Sequence, residues 1–205
     1  GLFGWQRYAV SDGSSVVTRM TNIDQPQSYA LGILGLNGIT AYCGLIYQGE
    51  PKPNETVVVS TAAGSVGSCV GQIAKIKGCR TVGITGGPTK VQQCLDEFGY
   101  DVSIDYKNTM DLGSAVAEAC PDGVHVYFDN TCGLISDAVM ENLGMHARVI
   151  ICGTSSVPDW IPLPTGPRVH RQLLVNRARM SGLLIFDYKE HYAEAVQKLS
   201  QWIDE

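Results

Sequence analysis

The chain has 205 residues, 44% hydrophobic and 17% charged, with a formal net charge of -5. That length holds one α/β domain with a full core and is tight for two, and the scattered basic residues exclude a phosphate-tracking stripe for nucleic acid. No apolar run reaches the ~18–20 residues of a membrane span, so no membrane partner is expected.

The first thirty residues stand apart. Gly1 to Val10 is read as a short aromatic strand belonging to another domain, and Met20 to Pro26 as a connector. After residue 50 apolar strands alternate with helical periodicity, the pattern of a parallel sheet with crossover helices. Strands are expected at Thr56–Ser60, Thr81–Thr85, Val102–Tyr106, Val124–Asp129, Arg148–Cys152 and Leu183–Phe186. Helices are expected at Leu31–Tyr47, Ser65–Lys77, Thr89–Phe98, Leu112–Ala119, Leu134–Leu143, Val169–Arg179 and Glu190–Asp204. Pro158 to Pro167, with four prolines, is the loop between the fifth strand and its helix. The fold class is therefore α/β, a doubly wound six-stranded parallel Rossmann sheet over residues 31–205. Residues 1–30 are expected to be a remnant of an N-terminal all-β substrate domain, and both ends are read as truncated.

Seven cysteines, at Cys43, Cys69, Cys79, Cys94, Cys120, Cys132 and Cys152, show no C-x-x-C spacing, and the four histidines lack metal-helix spacing. No metal site is expected, and the thiols are read as buried and reduced in a cytoplasmic protein.

The chemistry starts after the first strand. Thr56 to Ser60 is a β-branched run, small residues follow at Ala62, Gly64 and Gly67, and then helical periodicity begins. This is the strand–turn–helix that opens a dinucleotide-binding unit, with Ala62 in place of the first glycine of G-x-G-x-x-G. Gly64 lets the backbone approach a pyrophosphate, Gly67 lets the helix pack on its strand, and the free N–H groups of the first turn face the anion. The second strand then selects the nucleotide. NAD-binding sheets end it with a carboxylate for the ribose hydroxyls, about 20 residues past the fingerprint. Here Thr85 is followed by Gly86-Gly87-Pro88-Thr89-Lys90, with no acid to repel a 2′-phosphate. That favours NADP(H), although Lys90 also reads as a solvated surface lysine and Tyr106 as a shield for a strand edge.

Further segments complete a pattern. They include Leu34 to Tyr42, Val59 to Ser68, Gly71 to Lys75, Tyr127-Phe-Asp-Asn130, Ile151-Cys-Gly153 and Phe186-Asp-Tyr188. Together they resemble the zinc-independent medium-chain dehydrogenases/reductases of the prostaglandin reductase, leukotriene B4 12-hydroxydehydrogenase, alkenal reductase and curcumin reductase branch. The resemblance implies a two-domain, homodimeric enzyme that uses NADPH to reduce the carbon–carbon double bond of α,β-unsaturated ketones or aldehydes. It implies cofactor contacts from Ala62, Ala63, Gly64, Ser65, Val66 and Gly67 at the pyrophosphate, and from Gly86, Lys90 and Tyr106 at the 2′-phosphate. Asn130 would lie at the ribose–nicotinamide end. Cys152, Gly153 and Thr154 follow strand five, Leu183, Leu184 and Ile185 flank the nicotinamide, and Thr40 approaches it from the connecting helix. Catalytic residues and the particular enone stay unassigned. The chain departs from that pattern at Asn37, at Thr131-Cys132 and at Ser155 to Pro158, where a tyrosine-bearing loop is common.

Three alternatives remain at this stage. Ala63-Gly-Ser-Val-Gly67 also resembles a nucleophile elbow, which would make Ser65 the nucleophile of an α/β-hydrolase with Asp129 and a later histidine. A zeta-crystallin-like quinone reductase shares fold and cofactor. A NADP(H)-binding fragment without activity is the third. Short-chain reductases are excluded, because no Tyr-x-x-x-Lys occurs.

Overall fold

A computed structural model describes Gly4, residues 6–14, Val16 and residues 25–205. Its centre is β1 (Thr56–Ser60), buried along its whole length as a strand covered on both faces must be. Val57 and Val59 enter one core and Val58 the other, each contributing ~1.5–3 kcal/mol of burial. The chain then alternates α2 (Ser65–Ile76), β2 (Arg80–Thr85), α3 (Pro88–Asp96), β3 (Val102–Asp105), α4 (Leu112–Ala119) and β4 (Val124–Asp129). It continues through α5 (Gly133–Met140), β5 (Leu143–Ile151), α6 (His170–Asn176), β6 (Arg179–Gly182) and α7 (Tyr192–Asp204), with α1 (Leu36–Cys43) preceding β1.

All strand pairs are parallel, and the order is β3-β2-β1-β4-β5-β6. The order reverses between β1 and β4, so a crevice opens outside the carboxyl ends of these strands, where doubly wound sheets bind ligands. One core joins α1, α2 and α7 to the sheet through residues such as Tyr42, Val70, Phe128 and Leu199. The other joins α4 and α5 through Val82, Val116, Tyr127 and Val139. Away from the crevice, Arg148 in β5 ties down the segment entering β1. It donates to Glu55 (2.9 and 2.5 Å) and to the carbonyls of Gly49 (2.8 Å) and Glu50 (2.9 Å).

Several sequence expectations need correction. The last strand is Arg179–Gly182, not Leu183–Phe186. Arg179 to Gly182 pairs in register with Arg148 to Ile151, Leu183 adds one more N–H bond to the Ile151 carbonyl at 2.8 Å, and the Leu183 and Ile185 side chains are buried. Arg177, with φ 47°, ends α6 and redirects the chain into that strand. The long helix expected at Leu31–Tyr47 is divided into a 3-10 turn at Gln27–Leu31, α1, and a π-helical turn at Gly44–Gly49. The break before α1 goes with a tight local turn, because a Cβ on Gly38 would stand 1.7 Å from the Ile33 carbonyl oxygen, whereas Cys43 and Gly44 keep helical backbone angles as α1 passes into the π-helical turn. β5 begins at Leu143, which was expected to end α5, and it carries a bulge where His146 takes φ 59°.

The strand expected within Gly1 to Val10 lies outside the described residues at 1–3 and 5. Gly4 and residues 6–10 are exposed and form no strand, since a strand needs a neighbouring ladder and none of the six borders them. The expected connector, Met20 to Pro26, lies outside the described residues through residue 24.

Candidate functional site

The turn from β1 into α2 is built by close backbone approach. Thr61 adopts φ 53°, its carbonyl accepts the Gly64 N–H at 2.8 Å, and the Ala62 N–H donates to Ile84 of β2 at 3.1 Å. A Cβ on Gly67 would stand 2.2 Å from the Thr61 carbonyl oxygen, and one on Gly64 would stand 2.8 Å from Thr61 Cγ2. Gly67 is thus required for α2 to lie against the turn. Among the described residues, the N–H groups of Ser65, Val66 and Gly67 have no acceptor. They combine with the positive end of the α2 dipole to make an anion-binding terminus. The Val66 and Ala63 side chains pack against the core, so this segment offers the ligand backbone rather than side chains.

Beside this turn lies a crevice of about 420 Å³, lined by Thr61, Thr85, Gly86, Lys90, Tyr106 and Lys107 on one side and by Thr131, Gly133, Leu134 and Ser155 among others opposite. It brings together Gly86, Lys90 and Tyr106, which the sequence placed at one subsite, and no carboxylate lines it. Gly86 is small for a local reason, since a Cβ there would stand 2.9 Å from Tyr106 Cε1 and 2.9 Å from Lys107 Cε. Lys107 was missed in the sequence. Its only signal was a basic residue immediately after Tyr106.

The far wall hangs on Asp129, which is fully buried at the end of β4. Its Oδ1 accepts from Thr131 N–H (2.9 Å), Cys132 N–H (3.0 Å), Tyr127 O–H (3.0 Å), Ser60 Oγ (3.2 Å) and Thr131 Oγ1 (3.2 Å). These bonds shape the β4–α5 turn and hold Cys132 at φ 61°. Asn130 sits beside them. Its N–H donates to Ser60 Oγ (2.8 Å) and its side-chain amide to the Ser60 carbonyl (2.7 Å), fastening β4 to β1. Cys152 and Gly153 donate their N–H groups to the Asp129 carbonyl at 2.8 and 3.1 Å. A Cβ on Gly153 would stand 2.9 Å from the Asn130 carbonyl oxygen, so that turn also needs a glycine. Burial, followed by the Asp129 charge, pushes the Cys152 thiol up to about 11. It is a neutral packing group at pH 7, not a thiolate nucleophile.

The other expected contacts do not line this crevice. Thr40 is buried, and its hydroxyl donates to the Leu36 carbonyl at 2.7 Å. Leu183 and Ile185 are buried, whereas Leu184 is 58% exposed. Thr154 lies in the loop after β5, where its carbonyl accepts the Val157 N–H. The elbow reading of Ser65 finds no charge relay, because the donors to Asp129 are Ser60, Tyr127, Thr131 and Cys132 and none is a histidine. Among the described residues no group of three or more His, Cys, Asp or Glu is placed to hold a metal ion. No described helix is long and apolar enough to cross a membrane.

Comparison with known proteins follows this geometry. Residues 65–201 match the family described as Zinc-binding dehydrogenase. The chain is 39% identical over 210 residues to the NADPH-dependent curcumin reductase of Escherichia coli (strain K12), covering 100% of this chain and 60% of that protein. It is 38% identical over 199 residues to the 2-alkenal reductase (NADP(+)-dependent) of Nicotiana tabacum, covering 96% and 57%. The crystal structure of CurA in complex with NADPH from Vibrio vulnificus superposes with a TM-score of 0.79 at 42% identity, covering 88% of this chain and 56% of that one. The chain thus spans about 60% of the length of the curated relatives it matches. It belongs to the zinc-binding dehydrogenase family, as a medium-chain dehydrogenase/reductase related to the curcumin, prostaglandin and alkenal reductases.

Proposed function

We propose that this chain is the nucleotide-binding part of an NADPH-dependent reductase that saturates the carbon–carbon double bond of α,β-unsaturated ketones and aldehydes. The observation that carries the reading is the crevice at the ends of β2 and β3, where Lys90 and Tyr106 line a space that no carboxylate enters. The names of the relatives, a curcumin reductase and a 2-alkenal reductase, support the substrate class. Residues 1–30 are read as the end of a substrate domain and residues 31–205 as the cofactor domain.

The residues present fit a dinucleotide. Gly64 and Gly67 leave no side chain between α2 and the turn, and three N–H groups at Ser65, Val66 and Gly67 stand ready for a pyrophosphate. Lys90 and Tyr106 supply a cation and a hydroxyl for the 2′-phosphate. Ala62 and Ala63 carry the turn, and Gly86 keeps the subsite open. Asn130, fastened to Ser60, fixes the strand end beneath the ribose. On this reading Cys152, Gly153 and Thr154 border the nicotinamide end through backbone, while Leu183, Ile185 and Thr40, whose hydroxyl is bonded to the Leu36 carbonyl, back that end from the buried side. When bound, the reduced nicotinamide supplies hydride to the β-carbon of the enone. The residues of this chain bind, orient and exclude water around that step. Their contribution is placement, which is worth several kcal/mol when the reacting atoms are held in line.

A homodimer is part of the reading. β6 is an edge strand exposed at every residue, with exposed Met180 and Leu184 alongside, and such an edge favours pairing with another chain. A reducing, cytoplasmic setting is supported by seven free cysteines, five of them buried. The test of the cofactor assignment is a pair of titrations. NADPH should bind more tightly than NADH, and equal affinities would remove the basis of the proposal.

A further inference from the structure

Two lysines face the same crevice. Lys90 comes from α3 and Lys107 from the exit of β3, and among the described residues neither forms an ion pair. The Asp105 carboxylate attracts Lys107 from outside the lining, and within the crevice the two like charges repel each other less when an anion lies between them. The arm of Lys107, an exposed residue, runs past the β2–α3 turn. Its Cε and the Tyr106 ring both lie over the bare face of Gly86, each 2.9 Å from where a Cβ would be. Lys107 is among the residues that line the subsite.

Its backbone is also held. Asp105 Oδ1 accepts the Lys107 N–H at 3.1 Å and the Gly87 N–H at 2.8 Å, and Oδ2 accepts from Asn108 Nδ2 at 2.6 Å. One carboxylate thus clamps the β2–α3 turn, where Gly87 adopts φ 93°, to the residue that carries the second lysine. These bonds, the Gly87 N–H foremost, hold the Asp105 carboxyl below its ordinary range. Asp105, which precedes Tyr106 in the chain, therefore has its oxygens turned onto loop donors.

We propose that Lys107 is a second specificity-determining cation for the 2′-phosphate, and that Asp105 is the positioning residue that sets it there. This rests on the NADP(H) reading, which the test keeps separable. NADPH, NADH and adenosine 2′,5′-bisphosphate are titrated calorimetrically into the wild type, Lys90→Ala, Lys107→Ala, Lys107→Arg, Asp105→Ala, Asp105→Asn and the Asp105→Ala/Lys107→Ala double variant. Lys107→Ala should weaken NADPH and the bisphosphate about 10- to 100-fold, as loss of a charged hydrogen bond does, and should leave NADH within about twofold. Lys107→Arg should retain most of the affinity. Asp105→Ala should weaken NADPH in the wild-type background and have little further effect once Lys107 is alanine. Asp105→Asn keeps an acceptor oxygen and should rescue. Unchanged NADPH affinity in Lys107→Ala, with a loss in Lys90→Ala, overturns the inference while the cofactor reading stands. Additive losses in the double variant overturn the positioning role of Asp105. Equal wild-type affinity for NADPH and NADH defeats the cofactor reading itself.

Discussion

Substituting Gly67 by alanine sets two physical effects against each other, and they differ in sign. Helix propensity alone predicts that alanine stabilises α2 by up to ~1 kcal/mol. The structure predicts the reverse. The added Cβ would stand 2.2 Å from the Thr61 carbonyl oxygen and 2.9 Å from both Thr61 C and Ala62 Cα, all backbone atoms. Ordinary carbon–oxygen contact is about 3.3 Å or more, so the helix must retreat by roughly 1 Å. Forced shifts of this kind cost ~1–3 kcal/mol, occasionally more. The net expectation is a loss of about 1–2 kcal/mol, seen as a fall of about 2–8 °C in Tm for a domain of this size. The same retreat carries the Ser65 to Gly67 amides away from the anion, so NADPH affinity should fall as well. Gly113, in the first turn of α4, is the control, since its added Cβ would meet nothing closer than 3.5 Å. Gly113→Ala should keep or raise stability. Thermal and urea unfolding of both variants decide the matter. A Gly67→Ala protein as stable as the wild type, with unchanged NADPH affinity, would refute the close-approach argument.

Three further predictions follow from the same contacts. Lys90→Ala should narrow the NADPH–NADH affinity gap by about 1–3 kcal/mol; an unchanged gap would remove Lys90 from the subsite. Ser65 acts through its backbone, so Ser65→Ala should leave nucleotide affinity nearly intact and a fluorophosphonate probe should not label the wild type, whereas stoichiometric labelling at Ser65 would revive the elbow. Arg148→Ala should cost about 3–5 kcal/mol, because it leaves Glu55 without its charged partner, with only the Lys52 N–H remaining, and the Gly49 and Glu50 carbonyls without their donor. That cost depends on pH. Burial raises the Glu55 carboxyl, but Arg148 and the Lys52 N–H outweigh it and leave it lowered. The pair's stabilisation is therefore complete above the unfolded value of about 4.3 and is lost as pH falls through the lower folded value. Urea midpoints should separate wild type from Arg148→Ala most above about pH 5 and converge in acid; a constant separation would contradict the pairing.

How much of this was legible in the sequence depended on where each element gets its identity. β1 and β4 were readable to the residue, because β-branched and aromatic runs bounded by turn formers describe strands buried on both faces. β6 was not, because Arg179 to Gly182 is a polar edge strand defined by its pairing with β5, and the apolar run that follows it alternates buried Leu183 and Ile185 with exposed Leu184 and Phe186, which imitates a strand. The helix expected before β1 was misjudged because apolar periodicity continues through a tight turn that only the backbone packing of Gly35 and Gly38 reveals. At the site, Gly86, Lys90 and Tyr106 were recoverable from the turn chemistry and the resemblance. Lys107 and Asp105 were not, since the bonds that tie them to the β2–α3 turn join two loops that meet only in the fold. The part Asp129 plays was not legible, since its five donors join residues 127–132 to Ser60 on β1, a neighbour only in the fold.

The central claim concerns which carbon is reduced, and isotope labelling tests it most directly. NADPH carrying deuterium at the transferable position is incubated with the protein and a simple enone, and the product is located by NMR and mass. The account predicts a saturated ketone with deuterium on the former β-carbon. An allylic alcohol with deuterium on the carbinol carbon would contradict it.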